Sequence, residues 1–304
     1  MSATSFAVFA VLAACTGDDA APDSPILPTP AGCVTATAAG DHVYTCGGLP
    51  VDVRVPARCL TAGCGLILQL HGDTGDGLLM DAHTKMRDLG EANGYIVVAP
   101  TGPDLTAVSG HTWFASNDAA LVDMTRLVAS VFAVDPAKIH ITGFSRGAFV
   151  TWRMICNHSD LFVSAAPGGG GANNTEMTCF TGGRTPARPI PILFLMGRTD
   201  ASVGYATLTQ IRDGVIATYA AGAPQVIASD ARYSHSRWTG SSVIETFDHA
   251  YETVSTGPFA SAKGHCIPGS TSDPMAPAYA IPCQLPNTFV WGEEIMKFFI
   301  AHPR

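Results

Sequence analysis

Short apolar runs at residues 66–70, 96–99, 139–142 and 192–196 recur along the chain, each followed by turn residues and then by a stretch of helical composition. Runs of that length read as strands buried on both faces, and such strands belong to parallel sheets whose crossovers are helices. Between the first two, residues 80–93 are helical in composition and end in Asn93-Gly94, a C-cap signal. Leu121, Met124, Val128, Val131 and Phe132 share one helical face behind an N-cap at Asn117 or Asp118. Further helices are expected over 147–157, 207–220 and 289–299, and further strands over 162–166 and 243–247. Residues 51–55 alternate with period two and read as an antiparallel edge strand. Strand-helix alternation of this kind predicts an α/β fold: a mostly parallel sheet with helices on both faces. It runs as one domain over residues 32–304.

Composition narrows the function. Charged residues are only 14% of the chain against 47% hydrophobic, so self-repelling disorder is excluded over most of the length. The net charge is −8, and no basic tract occurs that would fit a nucleic acid partner.

Residues 6–14 form an apolar run of the length of a signal h-region. It ends in Leu12-Ala-Ala-Cys15, which resembles the bacterial lipobox, although Met1 to Ser5 carry no Lys or Arg. The expectation is a lipoprotein-type signal over residues 1–15, with Cys15 acylated and holding the protein to a membrane. Residues 16–31, rich in Pro and Asp, read as a flexible spacer. Export to the periplasm, the cell surface or the medium follows. Of nine Cys, setting Cys15 aside leaves an even number, suited to an oxidising compartment. Pairing by proximity suggests Cys33–Cys46, Cys59–Cys64, Cys156–Cys179 and Cys266–Cys283. Cys-x-x-Cys and His-x-x-x-His are both absent from the sequence, so no metal or redox site is expected.

The chemistry-bearing motif is Gly143-Phe-Ser-Arg-Gly147. A strand runs into it and a helix leaves it, which is the context of a nucleophile elbow: a sharp turn that lifts the Ser145 hydroxyl above the sheet. A serine hydroxyl is a weak nucleophile, so it needs a base, and the base needs an orienting acid. Asp200, in Gly197-Arg-Thr-Asp200, lies at a strand's carboxyl end and is the expected acid. Asp213 and Asp230 read as surface groups. His265, in Lys263-Gly-His-Cys-Ile-Pro-Gly269, is the expected base, on a loop that a Cys266–Cys283 bridge would anchor. His249 is its rival, and His140 reads as a core residue of a strand. His71-Gly72-Asp73 ends the strand 66–70, where one oxyanion-hole amide is supplied, the other coming from the residue after the nucleophile. The expected donors are the backbone N–H groups of Asp73 and Arg146. The Asp73 carboxylate would repel an oxyanion, so its side chain should turn away or bind its own loop. Trp113 is either an aromatic wall of the pocket or a packing residue.

Leu70-His-Gly72, Gly143-Phe-Ser-Arg-Gly147, Gly197-Arg-Thr-Asp200 with Val203-Gly-Tyr205, and Gly264-His-Cys-Ile-Pro-Gly269 stand in the order found in one group of α/β-hydrolases. The chain resembles the polyhydroxybutyrate depolymerase and feruloyl/acetyl-xylan esterase group over residues 33–304. The resemblance implies the α/β-hydrolase fold and a triad of Ser145, Asp200 and His265. Asp73 stands where the group usually has an uncharged residue, and Gly204 where Pro is common.

The function implied is a secreted or membrane-tethered serine esterase working through an acyl-enzyme without a cofactor. Its substrate would be feruloyl or acetyl esters of plant polysaccharide, or hydroxyalkanoate oligomers. The alternatives are a depolymerase acting on polyester chains and a catalytically silent hydrolase fold serving as a binding lipoprotein.

Overall fold

The computed structural model describes residue 1 and residues 28–106, 109–171, 179–254, 260–271 and 281–304. Cys15, the signal and most of the spacer therefore lie outside the described residues. A ten-stranded sheet spans the molecule in the order β1-β2-β4-β3-β5-β6-β7-β10-β9-β8. Its centre is parallel: β4 (Tyr95–Pro100), β3 (Gly65–Leu70), β5 (Ile139–Phe144), β6 (Ser164–Gly168), β7 (Ile192–Gly197) and β10 (Val243–His249). Every residue of β3, β4, β5 and β7 is buried, which is why these segments read as continuous apolar runs.

Alternation along those strands feeds two cores. Leu66, Leu68 and Leu70 of β3 face the cluster that includes Leu121 and Val128 of α3 (Asp118–Val131), Val150 and Trp152 of α4 (Arg146–Asn157), and Leu208 and Ile211 of α5 (Tyr205–Thr218). Ile67, between them, faces the opposite cluster. That one gathers Met80 of α1 (Gly77–Thr84), Met86 of α2 (Met86–Asn93), and Trp291, Ile295 and Phe299 of α6 (Trp291–Ala301). Helices thus cover both faces, as the period-two geometry of the strands requires. This is the α/β-hydrolase fold.

Several local expectations shift. The single helix over 80–93 is two helices, broken at Lys85, which takes a left-handed conformation (φ 55°). The Asp81 carboxylate accepts the Arg87 N–H and caps the second helix, so the break has its own hydrogen bonding. Helix α1 begins earlier than expected, with the Asp76 side chain accepting from the Leu79 N–H. Strand β2 (Leu49–Val55) covers residues 51–55 but is not at the edge. It pairs antiparallel with both β4 and β1 (Gly40–Cys46), and Gly47 and Gly48, both at positive φ, turn the chain from β1 into β2. At the far side, β8 (Gln225–Ser229) and β9 (Tyr233–Thr239) add an unexpected hairpin turned by Asp230, whose carboxylate accepts from the Arg232 and Tyr233 amides. The strand expected over 162–166 is displaced to β6.

All four proximity pairings of cysteine are present as disulfides: Cys33–Cys46, Cys59–Cys64, Cys156–Cys179 and Cys266–Cys283.

Candidate active site

Strand β5 delivers Ser145 into α4 through a turn with φ 52° and ψ −119°. A non-glycine residue held there is strained, and the strain persists because the surroundings fix it. The Ser145 N–H donates to the Gly168 carbonyl at 2.8 Å, tying the elbow to the end of β6. Both flanking glycines are required by space. A Cβ on Gly143 would stand 2.5 Å from the Gly147 carbonyl carbon, and one on Gly147 would stand 2.2 Å from the Leu70 oxygen. The first turn of α4 therefore sits directly against the end of β3, with its positive dipole end at the hydroxyl.

The loops that carry Asp200 and His265 meet backbone to backbone. Strand β7 ends in Gly197, where a Cβ would stand 2.0 Å from the Gly264 oxygen, and a Cβ on Gly264 would stand 2.8 Å from the Asp200 nitrogen. That contact lets Asp200 form a bridge with Lys263 and lets Ala201 N–H donate to Ala262 O at 3.1 Å. The result is a buried pair: the His265 Nδ1–H donates to Asp200 Oδ2 at 2.7 Å, with the two side chains 1% and 0% exposed. Asp200 Oδ1 accepts from the Ser202 and Val203 amides at 2.9 and 2.8 Å. Burial pushes the Asp200 carboxyl up, but the hydrogen bond and charge of His265 and those two amides outweigh it and hold its pKa below the ordinary carboxylate value. With Nδ1 bound to the acid, the imidazole offers Nε2 to a substrate or nucleophile.

Ser145 and His265 line one small cavity of about 30 Å³, together with Gly72, Asp73 and the apolar side chains of Leu79, Met80, Phe144 and Ile281. Among the described residues no hydrogen bond joins the Ser145 hydroxyl to the imidazole. The Phe144 ring lies 4.9 Å from the His265 ring, centroid to centroid, and steadies it from the elbow side. Gly72 approaches closely: a Cβ there would stand 3.2 Å from the Ser145 Cβ. The backbone N–H groups of Asp73 and Arg146 donate to no protein acceptor among the described residues; Asp73 lines the cavity, and Arg146 directly follows Ser145, which lines it too.

His71 organises the loop that carries the Asp73 amide. Its Nε2 accepts from the Gly102 N–H at 2.9 Å, so Nδ1 carries the proton, which it donates to the Gly72 carbonyl at 2.7 Å. Burial lowers its pKa to about 4 despite that carbonyl, so the ring is neutral near pH 7 and keeps this tautomer. Sequence reasoning saw His71 only as part of a turn motif; no pattern signals its bond to Gly102, 31 positions on. The Asp73 side chain neither points at the hydroxyl nor binds its own loop: it accepts from the Thr112 hydroxyl, with Arg146 Nε 4.0 Å away. Trp113 is fully buried and donates its Nε1–H to His71 O at 3.0 Å, so it supports the loop from beneath and forms no wall of the cavity.

His249 is buried, its pKa lowered to about 3 by that burial, and it lies with Cys266 and Cys283 in a cluster of potential ligand atoms. Both sulfurs are in a disulfide, which lacks the thiolates that zinc takes. His140 bonds Ser164 through Nδ1 at 2.7 Å and stacks on Phe299, as a core residue. Asp213 and Asp230 are exposed, Asp213 paired with Arg212 and Asp230 accepting from the Thr288 hydroxyl.

Comparison with known proteins follows the same direction. No protein-family model matches the chain. It is 27% identical over 158 residues to poly(3-hydroxyalkanoate) depolymerase C of Paucimonas lemoignei, covering 46% of this chain and 38% of that protein. It is 27% identical over 128 residues to acetylxylan esterase A of Aspergillus ficuum, covering 38% of this chain and 41% of that protein. The chain thus spans about two fifths of the length of these curated relatives. Among solved structures, an acetyl xylan esterase from Aspergillus awamori superposes with a TM-score of 0.54 at 19% identity, covering 69% of this chain and 94% of that one. Over part of its length the chain is thus similar to a poly(3-hydroxyalkanoate) depolymerase and to an acetylxylan esterase, and it shares the fold of the solved acetyl xylan esterase.

Proposed function

We propose that the protein is an exported serine esterase that cleaves carboxylic esters of short acyl groups. Ser145 attacks the ester carbonyl while His265 takes its proton through Nε2 and later returns it to the leaving alcohol. The hydroxyl and the imidazole, which line the same cavity, form their hydrogen bond in the complex with substrate, where such bonds tighten. Asp200, kept ionised by His265 and its two amide donors, fixes the histidine tautomer and stabilises the imidazolium. The Asp73 and Arg146 amides stabilise the tetrahedral oxyanion, each worth roughly 3 kcal/mol in comparable sites. Water, activated by the same histidine, then hydrolyses the acyl-enzyme.

The observation that carries this reading is the cavity shared by a strained Ser145, the Asp73 loop and a His265 that is bonded to a buried Asp200. The cavity's apolar walls Leu79, Met80, Phe144 and Ile281 suit the acyl part of an ester. Acetyl esters of a polysaccharide match the acetylxylan esterase relatives. A second reading, polyester depolymerase, is favoured by the other relative. Exposed Leu78, Phe114, Val254 and Leu285, on or beside loops at the sheet's carboxyl end, would suit an apolar polymer surface. Four disulfides support an oxidising compartment, and acylation of Cys15 is the proposed tether.

The test is hydrolysis of p-nitrophenyl acetate by wild type and Ser145→Ala. Loss of turnover in the variant is expected; equal rates would make the fold a binding lipoprotein. Acetylated xylan against 3-hydroxybutyrate oligomers then separates the two substrate readings. Membrane fractionation of Cys15→Ser checks the tether.

A further inference from the structure

The two amides proposed to hold the oxyanion belong to residues far apart in sequence, Asp73 after β3 and Arg146 at the start of α4. A hole of this kind works only when both donors stand about 2.7–3.1 Å from where the oxyanion will form, and an error of about 1 Å costs on the order of a hundredfold in rate. Something must set their spacing. The packing of Gly147 on Leu70 O does so through backbone. The side chains of the same two residues also converge on one dipeptide: the Thr112 hydroxyl donates to Asp73 Oδ1, and Arg146 Nε–H donates to Trp113 O at 2.9 Å.

We infer that the dipeptide Thr112-Trp113 is a splint that sets the distance between the two oxyanion amides, with Thr112 and the Arg146 side chain as positioning groups. The inference rests on the esterase reading of Ser145. The splint is itself held at several points. Thr74 N–H donates to His111 O at 2.8 Å, and Trp113 Nε1–H to His71 O, joining it to the Asp73 loop. On the other side Arg153, seven residues after Arg146 and so on the same face of α4, grips it with a bidentate pair to Asp118 and a bond to Phe114 O at 3.3 Å. The arrangement also answers why a carboxylate is tolerated beside a developing negative charge. Asp73 accepts the Thr112 proton and lies 4.0 Å from the Arg146 guanidinium, so its charge is balanced away from the cavity.

The experiment compares Thr112→Val, Thr112→Ser and Arg146→Met with wild type, using p-nitrophenyl acetate. It also measures inhibition by an aryl trifluoromethyl ketone, whose adduct with Ser145 places an oxyanion in the hole. Thr112→Val and Arg146→Met should each lower kcat by about 10- to 100-fold with KM within about threefold, and weaken the ketone by a similar factor. Thr112→Ser, which keeps the hydroxyl, should recover most of the loss. A merely structural role would lower the yield or Tm without tying kcat to ketone affinity. The idea is overturned if both disruptive variants keep kcat and ketone affinity within twofold, or if kcat falls while ketone affinity holds. Should Thr112→Val fail to fold, Arg146→Met carries the test alone, since its side chain is partly exposed. Failure of the esterase reading looks different: Ser145→Ala would then turn over as wild type does.

Discussion

The carbonyl oxygen of Leu70 lies 2.2 Å from the point at which a Cβ on Gly147 would stand. Helix α4 therefore rests on the end of β3 through backbone alone, and the same contact positions Ser145 beside the Asp73 loop. Gly147→Ala should force the two apart. The expected cost is about 2–3 kcal/mol of stability, as for other overpacked sites, with a greater loss of turnover. Urea unfolding alongside ester hydrolysis would check it; a variant with wild-type stability and rate would contradict the packing.

Asp200 accepts the His265 Nδ1–H within a nearly solvent-free pair. In Asp200→Asn the amide can present its N–H to the ring and favour the wrong tautomer, so under the proposed mechanism kcat should fall by about 10⁴-fold, the loss seen for this change in a triad enzyme. Binding of a substrate analogue should change little. Retention of more than a tenth of wild-type turnover would argue for another acid.

The Cys266–Cys283 bridge closes a span of 17 residues and sits one residue after His265. Replacing both cysteines with Ser should cost about 3 kcal/mol and lower kcat, because the loop carrying the imidazole loses its anchor. Thermal melts and single-turnover assays of the double variant would read both effects. An unchanged kcat would assign the bridge to stability alone.

His71, His140 and His249 are buried and neutral, with pKa values lowered to about 4, 3 and 3 by burial. In the unfolded chain each titrates near 6.5, so below that pH the unfolded state binds more protons than the folded one. Stability is therefore complete above about pH 6.5 and is lost as pH falls toward the folded values. Each histidine contributes a slope of about 1.4 kcal/mol per pH unit, or about 3 kcal/mol for His71 by pH 4. The double variant His140→Phe/Ser164→Ala, which removes the ring and its hydrogen-bond partner together, should flatten the curve by one such slope. Urea midpoints between pH 4 and 8 would show it, and an unaltered slope would mean that His140 protonates without opening the core.

What the sequence determined by itself is everything that follows from local period and turn chemistry. Strands β3, β4, β5 and β7 are legible because both of their faces are buried, and the elbow because its two glycines meet each other within five residues. Neighbouring cysteines pair because short loops bring them together. The tertiary structure alone decided the rest. Strands β1 and β9 are partly exposed and largely polar, and the short apolar run Val226-Ile227-Ala228 of β8 lies largely exposed, so no buried-strand pattern announces them; β1 and β9 form because β2 and β10 leave edges to be paired, and β8 then pairs with β9. The break at Lys85 depends on Asp81 capping α2, which composition does not reveal. Trp113 and Asp73 found their roles by contact across 42 and 39 positions, with His71 and Thr112 respectively. Such bonds arise only once the loops at the sheet's carboxyl end are folded against one another, and no periodicity along the chain encodes a distance of that kind.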